Sequence, residues 1–336
     1  KMERPCAAAC GMDAIGTDEQ GKASIDQDKC VSCGMCLVNC PFGAISDKGQ
    51  IFQLIQSIKR GDRVIAIVAP AFIGQFGPAL PPEKFEAAMK QLGFDSVVEV
   101  AIGADLCTIE EAKDFLRAVP EEQPFMATSC CPSWSVMAKK LFPTISHCIS
   151  MAMTPMVLTA RLQKKEHKGC KIAFIGPCAS KKLEASRRTI RSDVDFVLTF
   201  EELMGMFEAK EVDFSLITEE KPLEEGTGAG RGFAVGGGVA KAVADVIHEM
   251  DPEREVKIAS AQGLAECKKL LTMARAGKYN GYLLEGMACP GGCVAGAGTL
   301  QPINKSSATV VKYAKEAKLQ RASDSKYDIT LSLLSD

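Results

Sequence analysis

Histidine is scarce: His147, His167 and His248 are the only three in 336 residues. That count excludes metal sites built on several histidines. No charge of one sign predominates either. Lys and Arg number 40, Asp and Glu 42, and the formal net charge is -2. Without a basic excess, nothing is available to neutralise nucleic-acid phosphates or anionic lipid, so neither is an expected partner. Long apolar runs are lacking too. The longest, Val64 to Ile73, is far below the ~20 residues of a membrane span, and Pro70 interrupts it. Hydrophobic residues at 46% and charged residues at 24% give a globular balance, enough for one large or several ordinary domains.

Cysteine is plentiful, at 15 residues. A secreted disulfide scaffold would be shorter and richer still. Thiols at this level in an Ala-rich chain point to metal-thiolate chemistry in a reducing compartment, hence to a cytoplasmic location. Six of them, Cys6, Cys10, Cys30, Cys33, Cys36 and Cys40, lie within the first 40 residues. This asymmetry predicts a small module over residues 1–50, turn-rich and held by clusters rather than apolar bulk. Cys10-GMDAI and Cys40-PFGAI also read as an internal repeat.

From residue 51 to 336 the pattern becomes α/β. Strand-like runs are Arg63-VIAIVAPA, Ser96-VVEVA, Lys171-IAFIGPC, Asp195-FVLTF and Tyr279-NGYLLEGMAC. Helices are expected over Pro82 to Gly93 and from Thr108, where Thr108 and Glu111 have capping-box spacing; Thr199 and Glu202 repeat it. Alternating strands and helices predict mostly parallel sheets, whose functional residues gather at the strands' carboxyl ends. Cys130-Cys131, Cys178 and Cys289 each follow a strand-like run, so three distant sites are expected to converge on one edge. The Gly-rich stretch Glu224 to Gly238 lacks a phosphate-loop pattern and reads as tight backbone packing or a loop pressed against a cofactor.

Cys30-x2-Cys33-x2-Cys36-x3-Cys40-Pro41 is an iron-sulfur pattern: three closely spaced thiolates wrap three corners of a 4Fe-4S cube, and the fourth serves a second cluster. A zinc site would show two pairs separated by a longer loop. By the same crossover Cys10 completes the first cluster. Cys40 and Cys6 then belong to a second that is short of two ligands. Either two more Cys lie upstream of Lys1, or that second site has decayed.

Three further motifs are TSCCPSW (Thr128 to Trp134), GPCASKKLE (Gly176 to Glu184) and EGMACPGGCVAGAG (Glu285 to Gly298). They supply five cysteines beside Gly or Pro, where backbone can approach a bulky inorganic group. Four make a 4Fe-4S site and leave one thiol over. Lys181 can place a cation beside an anionic ligand.

Together these motifs resemble the signature motifs of iron-only (FeFe) hydrogenases, over nearly the whole chain. GPC in place of MPC, the segment SMAMTPM (Ser150 to Met156) and AGAGTLQP after the last Cys resemble a less-studied branch. The resemblance implies a ferredoxin-like module followed by a two-lobed α/β domain with the active-site cluster between the lobes. That cofactor, the H-cluster, is a 4Fe-4S cube joined through a cysteine sulfur to a two-iron unit carrying CO, cyanide and azadithiolate. Electrons would pass through one or two accessory 4Fe-4S clusters.

Carried onto this sequence, the resemblance gives the cube to Cys131, Cys178, Cys289 and Cys293, with Cys293 the bridge. Cys130 would be the free thiol that relays protons, followed by Glu111, Ser150 and Asp114. Asp114 is shorter than the family's acid, and an exit Arg is unmatched at Ala118. Lys181 would bind one cyanide, the Pro70 and Ala71 backbone the other, while Met287 and Phe233 pack around the irons. Implied partners are dihydrogen and protons as substrates, a ferredoxin-like electron carrier and hydrogenase maturation proteins, in anaerobic metabolism. Alternatives on the same scaffold are a hydrogen sensor or electron-transfer module, and an iron-sulfur assembly protein lacking the two-iron unit. Met151, Met153 and Met156 read as core filler, and Cys107, Cys148, Cys170 and Cys267 as small buried hydrophobes. Trp134 is expected to pack beside the Cys130 turn.

Overall fold

Regular structure in the first 50 residues is short, as a cysteine-rich, turn-rich stretch dictates. The computed structural model describes residues 4–190, 193–328, 331 and 334. It opens with the four-residue helix Pro5–Ala8, the antiparallel pair β1 (Ile15–Thr17) and β2 (Ala23–Ile25), and the helix Met35–Val38. The internal repeat is physical. The Ala14 N–H donates to Cys10 Sγ and the Ala44 N–H to Cys40 Sγ, both at 3.3 Å. The residues before them, Asp13 and Gly43, both have positive φ, 51° and 58°. Apolar packing contributes more to this module than expected. Met12, Ala14 and Val31 are buried in the same cluster as Trp134 and Leu264. Each larger apolar side chain so removed from water contributes roughly 1.5–3 kcal/mol.

Seven more strands follow: β3 (Val64–Val68), β4 (Ser96–Glu99), β5 (Met126–Ala127), β6 (Lys171–Gly176), β7 (Phe196–Thr199), β8 (Lys257–Gln262) and β9 (Tyr282–Met287). They form two sheets, ordered β4-β3-β6-β7 and β5-β9-β8, and every pairing in both is parallel. All five residues of β3 are buried, which is why it reads as an unbroken Val/Ile run. Each sheet has its own apolar cluster. Among the described residues no helix is long and apolar enough to cross a membrane.

The helix expected from Thr108 starts a full two turns earlier and runs Ala101–Ala118. Thr108 is inside it, and its hydroxyl donates to the Ala104 carbonyl at 2.8 Å instead of capping. Gly103 lies in the added turns. A Cβ there would stand 2.2 Å from the Pro155 carbonyl, so glycine lets this helix lie directly on the helix Pro155–Glu166. The second capping box is real: the Glu202 N–H donates to Thr199 Oγ1 at 3.1 Å, and the Thr199 N–H to the Glu202 carboxylate at 2.8 Å.

Candidate metal centre

The carboxyl ends of both sheets face one cavity. Cys130 and Cys131 follow β5, Cys178 follows β6, and Cys289 and Cys293 follow β9. Convergence is therefore between two sheets and not on a single edge, because β6 belongs to one sheet and β5 and β9 to the other. All five cysteines line the cavity together with Pro70, Ala71, Lys181, Phe233 and Met287. Met156 lines it as well, and so is more than core filler. Met151 is not core at all, being 80% exposed. The turn between Cys289 and Cys293 needs two glycines. Gly291 and Gly292 have φ of 104° and 92°, and a Cβ on Gly292 would meet the Gly236 nitrogen at 2.7 Å.

The donor set suits an inorganic cluster. Burial, with Cys178 and Cys131 beside it, pushes the Cys293 thiol up to about 12. Burial likewise raises Cys131 and Cys289, each with Cys178 as the next contributor. Raised thiols set this close to one another favour the charge-sharing that a bound metal cluster would provide. Among the described residues no three His, Cys, Asp or Glu side chains are arranged to hold a single metal ion. A cube makes no such demand, since each thiolate meets a different corner. The cavity leaves about 80 Å³ accessible to the centre of a water-sized sphere, more than one ion fills. Cys131 stands at the N-cap of the helix Pro132–Leu141, a position that favours thiolate, and accepts the Ala288 N–H at 3.5 Å.

Cys130 is half-buried, and burial raises its thiol well above the ordinary value, with Glu111 and then Cys293 adding to it. Glu111 is fully buried. Its Oε1 accepts the Ser129 N–H at 3.0 Å and the Ser129 hydroxyl at 3.3 Å. Burial pushes this carboxyl up to about 7, against the opposing pull of Ser129 and the Ser150 hydroxyl. The structure thus brings Cys130, Glu111 and Ser150 together. Asp114 lies one helical turn on and is tied to Arg117 at 2.7 Å, so an Arg does stand near that end, one position before Ala118. Sequence reasoning missed Glu110. Its Oε2 is buried without a hydrogen-bond partner, and burial and then Asp114 raise its carboxyl.

Lys181 is inward, as expected. Its Nζ donates to the Cys130 carbonyl at 3.3 Å and pairs with Glu184 at 2.6 Å. Glu184 also accepts from the Thr154 hydroxyl at 2.8 Å. Its i,i+3 spacing from Lys181 in GPCASKKLE was the available signal. Lys182 is buried too and bridges Asp47 at 2.7 Å and Glu202 at 2.8 Å, which joins the N-terminal segment to the sheets. Glu285, the first residue of the third motif, was also missed. It is fully buried and accepts the Gly237 and Ala240 N–H groups at 2.6 and 2.8 Å. The carboxylate caps the helix Gly238–Met250 and ties the Gly-rich loop, with Phe233, to the thiol-bearing turn.

In the N-terminal segment, burial pushes the Cys33 thiol up to about 11, with Cys36, Cys10 and Cys30 adding to it. These four thiols are neighbours. Cys33 also contributes to the environment of Cys289, so the two cysteine groups lie close to each other. Cys40 is in a separate backbone cradle, where the N–H groups of Phe42 and Ala44 lower its thiol. Cys6 is buried. Cys107, Cys148, Cys170 and Cys267 are all buried, as expected of small hydrophobes. Trp134 packs under the Cys130 turn and donates to the Thr128 carbonyl at 3.0 Å.

Comparison with known proteins follows this geometry. Residues 62–297 match the family described as iron only hydrogenase large subunit, C-terminal domain, and residues 22–45 match a 4Fe-4S binding domain. The NADP-reducing hydrogenase subunit HndD of Solidesulfovibrio fructosivorans is 28% identical over 90% of this chain, which spans only 62% of that protein's length. Cytosolic iron-sulfur assembly component 3 of Bos taurus is 25% identical, over 85% of this chain and 74% of that protein. In fold, an apo FeFe-hydrogenase from Chlamydomonas reinhardtii matches with a TM-score of 0.71 at 23% identity, covering 84% of this chain and 94% of that one. This chain belongs to the iron-only hydrogenase large-subunit family, with a 4Fe-4S ferredoxin-like segment at its N-terminal end.

Proposed function

We propose that this protein is a hydrogenase that interconverts dihydrogen with two protons and two electrons. The carrying observation is the half-buried Cys130 thiol, backed by the fully buried Glu111 carboxyl, in a cavity that already offers four other thiols. A cube alone has no use for a fifth thiol backed by a carboxyl that titrates near neutrality.

In this reading Cys131, Cys178, Cys289 and Cys293 would hold a 4Fe-4S cube, and Cys293 would also hold a two-iron unit. When bound, the two-iron unit supplies the metal site at which dihydrogen is split or formed. Lys181 stands on the cavity wall as a charge-assisted donor to an anionic iron ligand. Pro70 and Ala71 offer backbone, and Met287, Met156 and Phe233 keep the cavity apolar. Cys130 holds a proton at Sγ because burial disfavours its thiolate. Glu111 takes that proton at its carboxylate and passes it toward Ser150. Asp114, one turn on, and Glu110, the residue before Glu111, stand on the less buried side of the same helix. A carboxyl poised near 7 both accepts and releases protons without a large penalty.

Residues 1–50 then form the electron-entry module and residues 51–336 the catalytic domain. Cys10, Cys30, Cys33 and Cys36 hold one accessory cluster, and Cys40 with Cys6 belongs to a second. Electrons come from a ferredoxin-like carrier in an anaerobic cytoplasm, and dedicated maturation proteins install the two-iron unit. The likeness to a cytosolic iron-sulfur assembly component favours a second reading, a cluster protein without that unit. Cys130, Lys181 and Met287 argue against it. The test is hydrogen evolution from a reduced dye by the chain co-expressed with maturation proteins. Turnover that falls at least a hundredfold in Cys130→Ala, with the iron content kept, supports the proposal. No turnover in a fully loaded wild-type protein overturns it.

A further inference from the structure

The turn from Asp26 to Cys30 leads into the Cys30-x2-Cys33-x2-Cys36 run, and its backbone is polarised. Its N–H groups point at one residue: those of Lys29 and Cys30 donate to the Asp26 carbonyl at 3.2 and 2.9 Å, and that of Asp28 to the Asp26 carboxylate at 3.0 Å. Its carbonyls therefore face the other way. Lys140 Nζ sits on them, donating to Asp28 at 2.6 Å, Cys30 at 2.9 Å and Gln27 at 3.4 Å. This lysine is near the end of the helix Pro132–Leu141, whose N-cap is Cys131. About two turns earlier on the same helix, the Ser133 hydroxyl donates to the Val31 carbonyl at 2.9 Å. One rigid element thus begins at a thiol of the cavity and grips the N-terminal cysteine loop at two points.

An ammonium is more than a clamp here. Its three N–H donors meet three carbonyls, and it also holds a positive charge against the backbone of Cys30, whose side chain is one of the candidate ligands. The N–H of Ser32 already donates to the Cys30 sulfur at 3.3 Å. Reduction adds one negative charge to an iron-sulfur cluster, and nearby positive charge favours the reduced form. We propose that Lys140 is a positioning residue that raises the reduction potential of the accessory cluster held by Cys10, Cys30, Cys33 and Cys36. The proposal rests on that cluster assignment and is independent of hydrogen chemistry.

The test is a reductive titration followed by electron paramagnetic resonance on the whole chain carrying its 4Fe-4S clusters. The accessory signal is identified by its loss in Cys33→Ser. Lys140→Gln keeps a donor without charge, Lys140→Met removes both, and Lys140→Arg keeps the charge. In Gln and Met the one-electron reduction constant should fall about three- to tenfold, tenfold being ~59 mV, while Arg stays near wild type. The difference should shrink between about 0.01 M and about 1 M salt, as the screening length drops from ~30 to ~3 Å. A structural clamp would show no such salt dependence. An unchanged midpoint in Gln and Met overturns the proposal, as does a salt-independent shift. Loss of the signal in Gln with Arg normal makes Lys140 a clamp only, which also overturns it. A chain that makes no hydrogen still gives this readout, so the two readings fail separately.

Discussion

Lys181 and Glu184 meet at 2.6 Å in the wall of the thiol-lined cavity, with Lys181 9% and Glu184 1% exposed. Burial works against the lysine's charge, but the Glu184 carboxylate, by its charge and its hydrogen bond, outweighs it and holds the ammonium above its ordinary value. Removing one partner strands the other. Glu184→Ala should cost about 3–5 kcal/mol, seen as a lower urea midpoint. Lys181→Met combined with Glu184→Leu should cost less than Glu184→Ala alone. A double variant that is the weaker of the two would show that the pair stabilises the fold outright.

Glu111→Gln separates proton transfer from assembly. Glutamine keeps an acceptor for the Ser129 N–H, so the fold and the iron content should stay normal. Hydrogen turnover should fall by about 10²–10⁴. Turnover within threefold of wild type would remove Glu111 from the relay.

Asp105 supplies a pH dependence of stability away from the cavity. It is buried and accepts the Thr227 hydroxyl at 2.5 Å and the Thr227 N–H at 3.2 Å. Burial pushes its carboxyl from 3.8 up to about 8. A carboxyl with a higher pKa folded than unfolded binds more protons in the folded state. Its contribution is full below about pH 4 and lost as the pH rises through about 8. Asp105→Asn should therefore show a flatter urea midpoint from pH 5 to pH 8, conditions chosen from those two values. A slope equal to that of the wild type would place the protonation elsewhere.

The thiol motifs were legible because metal ligation fixes both residue type and spacing, and Cys131, Cys178, Cys289 and Cys293 do line one cavity. The parallel sheets were legible too, since strands buried on both faces write themselves as Val/Ile runs. The helix start at Ala101 was not. A Thr-x-x-Glu signal at Thr108 is local, while the fit of Gly103 against Pro155 is made by residues fifty positions away. Glu184, Glu285 and Lys140 escaped for the same reason. A charged side chain looks like solvated surface until the fold supplies its partner. Trp134 under the Cys130 turn was the exception, because its partner lies within the same motif.

The central claim is that the cavity holds a two-iron unit bridged by Cys293. Infrared spectroscopy of the protein purified after co-expression with maturation proteins tests it most directly. The account predicts CO and cyanide stretches in the wild type, lost in Cys293→Ser and kept in Cys130→Ala. A matured wild-type protein with full 4Fe-4S content and no such bands, or a Cys293→Ser variant with normal ones, would contradict it.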